Sequence, residues 1–448
     1  MRLQAGRYVR PQRLPGPHSS SSLGALEPFP HTSSSAVLMM FRALLFASLL
    51  LIHGEARAKP APQNPAFASN LIIYLAKGPA NSCGPGCDRW IAVEGNVDRN
   101  AASRIRRFLQ DVKDTQRPIY FHSPGGSVEQ AFLIGRLLRS RRAVARVGRT
   151  VVAACGAGAQ VDDACLKIKT GRGEVQAEIV TRQAMCNSAC SYLFLGATTR
   201  EVAPDAAMVV HNSKFTLVFD GHPPPELIAA ATDRGLARAD RERASFVAAM
   251  GISHELVDLI KTVKFENAHV LTRPELYRFG IDTRPIAETA WTLETEVRPY
   301  IRKVALAKKD DGVAFRTMEW RLFCENKDRA RLMFAREFDK GAAGTNSVVM
   351  MAGSEKPVAF GNFPARIGTF EAWSGTIAST AMKAVLAAPR LQMGEGRLMP
   401  DGKTNQQIFE IDTRGLESAW MQIFASCPAA PGPKPAVALP DPTSAPAP

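Results

Sequence analysis

Residues 71–147 alternate short apolar segments with amphipathic ones, and that alternation leaves few folds open. Leu71-Ile72-Ile73-Tyr74-Leu75 and Trp90-Ile91-Ala92-Val93-Glu94-Gly95 read as strands. Between Asn100 and Val112, the apolar residues Ala102, Ile105, Phe108, Leu109 and Val112 recur at helical spacing. Pro118-Ile119-Tyr120-Phe121-His122 is a buried-type strand that runs into Ser123-Pro124-Gly125-Gly126. From Val128 to Ser140 a helix is expected, with Ala131, Ile134, Leu137 and Leu138 on one face, and Val144 to Val147 starts the next strand. Strand, helix, strand, helix in this order predicts parallel βαβ units and an α/β domain over 71–287.

The rest of the chain divides by composition. Residues 149–183 read as an insertion with Gly-rich turns, 188–198 as the small-residue start of a helix, and Met208-Val209-Val210 as a strand. After Pro223-Pro224-Pro225 comes a helical stretch of alternating charge through Arg243 and Phe246, then a second from His254 to Val263. Leu271 to Leu276 is a strand end followed by a helix opening on Pro274. Residues 288–310 are expected to form a helical connector. From 311 to 427, short apolar segments such as Val348-Val349-Met350-Met351 are separated by Gly and Asn turns, which predicts a smaller, mainly β domain. Residues 428–448 hold 8 prolines and read as a disordered or polyproline tail.

Met39-Met40-Phe41-Arg42, the apolar run Ala43 to Ile52 and Ala56-Arg57-Ala58 read as the n-region, h-region and cleavage site of a signal peptide. The run is about half of what a bilayer span needs, so an uncleaved anchor ranks second. Residues 1–58 are therefore assigned to an extension and signal peptide, with the precursor starting at Met39 or Met40, and 59–70 to a Pro/Ala-rich linker. Cleavage near Ala58 makes the mature protein periplasmic or secreted. The formal charge is +14, part of it in the removed segment. The remaining basic residues are spread out, with no Lys/Arg block and no interleaved aromatics, so no nucleic-acid partner is expected.

Export places the eight cysteines in an oxidising compartment, where an even count suits disulfides. Cys83 with Cys87, Cys155 with Cys165 and Cys186 with Cys190 are sequence-local pairs, and Cys324 with Cys427 would bracket the C-terminal domain. A zinc site on the C-x3-C pairs is the alternative, but no histidine sits beside them at ligand spacing. No metal or cofactor is expected.

Three segments carry chemistry. Ser188 lies within Cys186-Asn187-Ser188-Ala189-Cys190, a small-residue elbow. Ser123-Pro124-Gly125-Gly126-Ser127-Val128 supplies a Gly-Gly turn, and Ala206-Ala207-Met208-Val209-Val210-His211 brings a histidine to the end of a strand. Acyl transfer needs a nucleophile, a base and backbone donors for an oxyanion, and these segments contain all three. A glycine lets peptide N–H groups approach a substrate without Cβ obstruction. The Gly126 amide, with Ser127 next to it, and the Ala189 amide at a helix start are the candidate oxyanion donors. Each residue also has a plain structural reading: Ser188 as a tight-turn residue, His211 as a satisfied strand-end histidine, the glycines as an ordinary turn. For His122, His222 and His269 that plain reading is preferred.

In this order the segments resemble the ClpP/crotonase superfamily, specifically its ClpP-like serine-peptidase branch. Gly95-x2-Asp98-x2-Ala101 with the Ile105/Leu109 helix is similar to the family's first strand and helix. Ser123-Pro124-Gly125-Gly126 matches its S-P-G-G motif, and Ser188 with Ala189 to Leu195 stands where the family has its nucleophile and following helix. Arg200-x3-Pro204-x3-Met208-Val209-Val210-His211 matches the stretch delivering the catalytic histidine, and Leu271-x2-Pro274-Glu275-x4-Gly280 a late segment. The likeness covers residues 71–285, and with export and paired cysteines it points to the family's uncharacterised periplasmic members. It implies a repeated ββα core with a parallel sheet, Ser188 as nucleophile, His211 as general base, and a peptide or protein as substrate. Apart from the resemblance, a homo-oligomer and an envelope partner bound through the β domain are carried as expected partners.

The departures are specific. The family's third triad member is an aspartate before the L-x-x-P-E segment, but here that stretch is Phe265-Glu266-Asn267-Ala268-His269-Val270. Asn267 or Glu266 is the candidate to orient His211, and a Ser–His dyad is the other option. The three prolines at 223–225 follow the point where a self-assembly handle would begin. A catalytically inactive envelope scaffold remains the second reading. Crotonase-type CoA chemistry ranks last, because an exported protein does not meet acyl-CoA.

Overall fold

The computed structural model describes residues 67–429, apart from 85, 113, 157, 214–223, 296–297, 310, 339–346, 354–355, 361–363 and 399–403. The expected signal peptide, most of the linker, His222, Pro223 and nearly all of the proline-rich tail lie outside the described residues.

β1 (Ile72–Lys77) and β2 (Arg89–Glu94) pair antiparallel, since the loop at 78–88 holds no helix to carry the chain across. The Cys83–Cys87 disulfide closes that loop. From β2 onward the alternation works as its periodicity predicts. α1 (Ala101–Asp111) returns the chain to β3 (Ile119–His122), parallel to β2, and α2 (Val128–Ser140) returns it to β4 (Val144–Val147), parallel to β3. The α2 start is capped by Ser127, whose hydroxyl accepts from the Gln130 amide.

Residues 149–183, expected as an insertion, contribute to the sheet itself. They form β5 (Arg149–Val152), α3 (Asp163–Lys169) and β6 (Glu174–Val180), and β6 lies parallel to β1. A buried cluster fixes them there. Glu94 accepts from Lys169 Nζ, the Tyr74 hydroxyl and the Thr150 amide, each at 2.9 Å. The Cys155–Cys165 disulfide closes the intervening loop.

Next come β7 (Met185–Asn187), α4 (Ala189–Leu195), β8 (Thr199–Glu201), β9 (Ala207–Val210), α5 (Pro225–Ala249), α6 (Glu255–Thr262), β10 (His269–Val270) and α7 (Arg273–Arg278). The main sheet has the order β5-β6-β1-β2-β3-β4-β8, and a second sheet runs β10-β9-β7. The 123–126 segment bridges them: Ser123 pairs with Cys186 on one side and Gly126 with Val97 on the other. α2 and α4 touch backbone to backbone, since a Cβ on Gly196 would sit 2.2 Å from the Gly135 carbonyl oxygen. Phe121, Phe194, Phe246 and Ile134 fill the core around them, each contributing about 2–3 kcal/mol of apolar burial. α7 opens with a capping box between Thr272 and Glu275, and Pro274 lies in its first turn.

The 288–310 segment is a correction. It is not a helical connector: after β11 (Ile286–Glu288) it forms β12 (Thr292–Glu294) and β13 (Tyr300–Lys308). The Ala/Leu/Lys content around 304–308 favours helix locally, but β13 is paired along its length with β14 (Phe315–Asn326) on one side and with β11 and β12 on the other. Tertiary pairing overrides local propensity there.

The C-terminal part is β-rich. β15 (Arg329–Glu337), β16 (Ser347–Ala352), β17 (Val358–Phe360), β18 (Ala365–Ile367), β19 (Phe370–Ala378), α8 (Ser379–Ala387), β20 (Arg390–Leu398), β21 (Thr404–Asp412) and α9 (Leu416–Ala425) complete it. Two antiparallel sheets, ordered β11-β13-β14-β15-β19-β18 and β17-β16-β20-β21, share a core of Trp320, Phe334, Trp373 and Met393. Arg336 on β15 pairs with Glu371 on β19 and Glu395 on β20, tying one sheet to the other. The Cys324–Cys427 disulfide fastens the end of α9 to β14. The protein is thus a mixed α/β fold with parallel and antiparallel sheets and a β-rich C-terminal part.

Candidate active site

β7 and β9 are parallel neighbours, with Asn187 opposite Val209. Ser188 is the first residue past β7 and His211 the first past β9, so both emerge at the carboxyl edge of the same sheet. That edge is where α/β sheets place their ligands. The Ser188 amide donates to the Val209 carbonyl at 2.8 Å, which locks the elbow to the strand that delivers the histidine.

Ser188 itself is strained. Its φ of 53° and ψ of −119° lie in a region that side-chain-bearing residues rarely adopt. It occupies the N-cap position of α4, yet its hydroxyl makes no capping bond. A serine there ordinarily accepts from the first-turn amides. The strained backbone turns the hydroxyl elsewhere and leaves the Ala189 amide at the open start of the helix, where the dipole favours negative charge. The Cys186–Cys190 disulfide brackets the elbow, with both sulfurs in the core.

The Gly-Gly turn faces this serine. Gly125 has φ +102°, and a Cβ on it would stand 2.8 Å from Ser188 Cβ and 2.7 Å from the Asn187 carbonyl oxygen. The Gly125 amide is engaged by Ser123 Oγ at 3.2 Å. The Gly126 amide is not engaged in the Val97 bridge, whose bonds run from Val97 N to Gly125 O and from Ser127 N to Val97 O. In a parallel bridge of that pattern the Gly126 N–H points away from Val97. Gly126 and Ser188 line one cavity of about 610 Å³, with Ser127, Phe132, Arg243 and Phe265 among its walls.

His211 is half-buried and packs edge-on against Phe265, ring centroids 5.1 Å apart. Its Nδ1 is 2.7 Å from the Asn212 carbonyl oxygen, so the tautomer with a proton on Nδ1 donates to that oxygen and leaves Nε2 as the basic nitrogen. Among the described residues no hydrogen bond joins Ser188 to His211. Asn267 and Glu266 are exposed, and neither hydrogen-bonds His211 among the described residues. The Nδ1 partner is a main-chain carbonyl. No side-chain pattern could have announced it.

No protein-family model matches the chain, and no curated protein matches it. Among solved structures it is similar to invasion associated protein b from Bartonella henselae, with 12% identity and a TM-score of 0.24, over 30% of this chain and 92% of that one. It is also similar to a mutant of the 1510-N membrane-bound stomatin-specific protease, with 13% identity and a TM-score of 0.24, over 42% of this chain and 73% of that one. Both likenesses are distant and concern the fold alone.

The remaining histidines have structural partners. His122 is buried at the end of β3, where its Nδ1 accepts from the Met185 amide. Burial, helped by the charges of Arg149 and Lys169, pushes its imidazole down to about 3. His269 Nε2 meets the Glu275 carboxylate at 3.0 Å, beside the α7 cap. Arg200 binds the carbonyls of Leu195, Ala197, Gly280 and Ile281, and so closes the end of α4 rather than facing the cavity. Burial lowers its guanidinium to about 10.

Proposed function

We propose that the chain is an exported serine hydrolase of the ClpP-like kind, a peptidase acting through an acyl-enzyme on Ser188. Ser188 Oγ attacks the scissile carbonyl carbon while His211 Nε2 takes the hydroxyl proton. The carbonyl oxygen becomes an oxyanion facing the amides of Gly126 and Ala189. The C–N bond then breaks as His211 returns the proton to the leaving amine. A water deprotonated by His211 hydrolyses the ester and restores Ser188.

One observation carries this reading: a strained serine that does not cap its own helix lines the same cavity as Gly126, whose amide is not used by the Val97 bridge. Backbone strain of this kind costs on the order of 1–3 kcal/mol and persists where function requires it. The Asn212 carbonyl takes the role that a carboxylate has in a full triad. A fluorophosphonate probe should label the protein, and Ser188→Ala should lose the label. Equal labelling of both proteins would remove the hydrolase reading.

The second reading is a scaffold of the same architecture that binds peptides or an envelope partner without cleaving them. It draws on the missing Ser188–His211 hydrogen bond and on the carbonyl in place of a carboxylate. An unlabelled but folded wild-type protein that still captures peptides would favour it. For location, four disulfides take up all eight cysteines, and no described helix is long and apolar enough to cross a membrane. Both fit export, which cell fractionation with thiol alkylation before lysis tests directly.

A further inference from the structure

The turn after His211 is held by a residue far from it in sequence. The Asn212 amide donates to the Val263 carbonyl at 2.8 Å, and the Asn212 side-chain oxygen accepts from the Ser213 amide at 2.8 Å. Arg243, on α5, then reaches across. Its Nη2 donates to Asn212 Oδ1 at 3.3 Å and to Ser213 Oγ at 3.2 Å, while Nη1 pairs with Asp240 at 2.9 Å. Arg243 is only 3% exposed. Its carboxylate partner among the described residues, Asp240, keeps 40% of its side chain in solvent. Among the described residues its Nε is buried without a hydrogen-bond partner.

A guanidinium left this incompletely paired in the interior is poor as a stabilising device. What it does achieve is geometric. One planar fork fixes both residues that follow His211, and one of them supplies the carbonyl on Nδ1. The same guanidinium stands beside the Tyr192 phenol of α4, the helix that starts at Ser188. Burial pushes that phenol up, and the Arg243 charge and hydrogen bond pull it back. One turn further along α5, Phe246 stacks on Phe132 of α2 at 4.5 Å and meets Tyr192 edge-on, so Arg243 is carried on a packed segment.

We propose that Arg243 is the positioning residue of this site: it sets the His211 turn relative to the Ser188 helix, where no carboxylate among the described residues bonds the histidine. The inference rests on the Ser188/His211 acyl-enzyme reading. Arg243 also borders the cavity that Ser188 lines, but the role assigned to it runs through Asn212 and Ser213.

The test follows the rate of fluorophosphonate labelling, alongside thermal unfolding, in the full chain. Arg243→Ala should slow labelling about 100-fold, the scale of a misoriented base, and ethylguanidinium should recover at least about tenfold of it. Arg243→Lys, which keeps the charge but not the fork, should stay slow. Ser213→Ala removes one acceptor with little risk to the fold and should slow labelling severalfold. A folded Arg243→Ala protein that labels at the wild-type rate would overturn the proposal. So would a slow one that ethylguanidinium does not rescue while Ser213→Ala labels normally. If Arg243→Ala does not fold, Ser213→Ala and Arg243→Lys decide by their rates. Ser188→Ala separates the two claims: a label retained there ends the acyl-enzyme reading, whereas a label lost there but unchanged in Arg243→Ala ends only the role of Arg243.

Discussion

Arg336 in the β-rich half and Arg243 in the α/β half are both interior arginines, but they are compensated in opposite ways. Arg336 is wholly buried between two carboxylates, Glu371 and Glu395, which are themselves buried. With Arg366, which also pairs with Glu371, the cluster holds two positive and two negative charges and joins two sheets. Among the described residues Arg243 has one half-solvated carboxylate, two neutral oxygens on the histidine turn and the Tyr192 phenol. Among the described residues, all four non-glycine residues with positive φ, Asn81, Arg142, Gln183 and Ser188, also belong to the α/β half. Of these four only Ser188 lies in the candidate site, and no described non-glycine residue of the β half has a positive φ. The contrast sets an arginine that joins two sheets through carboxylates against one that holds a turn through neutral oxygens.

The sharpest way to break this contrast is through the disulfides. Cys324–Cys427 spans 103 residues and Cys186–Cys190 only 4. By loop entropy, removing the first with paired alanines should cost about 4–5 kcal/mol in urea unfolding, and removing the second about 2 kcal/mol. The smaller thermodynamic loss should bring the larger fall in Ser188 labelling. A reversed order in either measurement would undo the division of labour between the halves.

Arg336→Met comes next. It removes the shared partner of two buried carboxylates, leaving Glu371 with Arg366, and should cost about 3–5 kcal/mol, read as a shifted unfolding midpoint, with labelling of Ser188 unchanged in the folded fraction. A neutral result would mean that Arg336 is no better compensated than Arg243.

The smallest effect is the response to acid. The folded-state value for His122 is depressed to about 3, against 6.5 when free. Below 6.5 the unfolded chain therefore binds a proton that the folded chain does not, and stability falls as pH falls. Between pH 6.5 and 4.5 the loss from this group should be about 2 kcal/mol. Hydrogen exchange at β3 and β7 should report it, and His122→Gln should flatten the slope. An unchanged slope in that variant would remove His122 as the acid-sensitive joint.

The pattern of success along the sequence follows the same division. β2 to β4 were legible because amphipathic α1 and α2 stand between short buried strands, and period 3.6 is hard to confuse with period 2. The elbow was legible because small residues and cysteines cluster in five positions. β13 was misread because Ala305, Leu306, Ala307 and Lys308 prefer helix, and only pairing with distant strands overrides them. β6 looked like an insertion because its partner, β1, lies about a hundred residues upstream. The hold on His211 was invisible for a different reason. A main-chain oxygen has no sequence signature, and Arg243 sat in a run of alternating charge. Its one sequence trace is its place on the buried stripe shared with Phe246 and Val247, where a charge needs a reason.

The bracket around Ser188 also sets an order of events during maturation. Cys186 and Cys190 are 0% exposed once the core has closed. No oxidant can reach them in the finished fold, so their bond has to form while the chain is still open, ahead of the packing of α4 against α2. Whatever geometry the serine has is therefore established by the compartment in which the chain first folds, and a later change of redox surroundings reaches it only through unfolding.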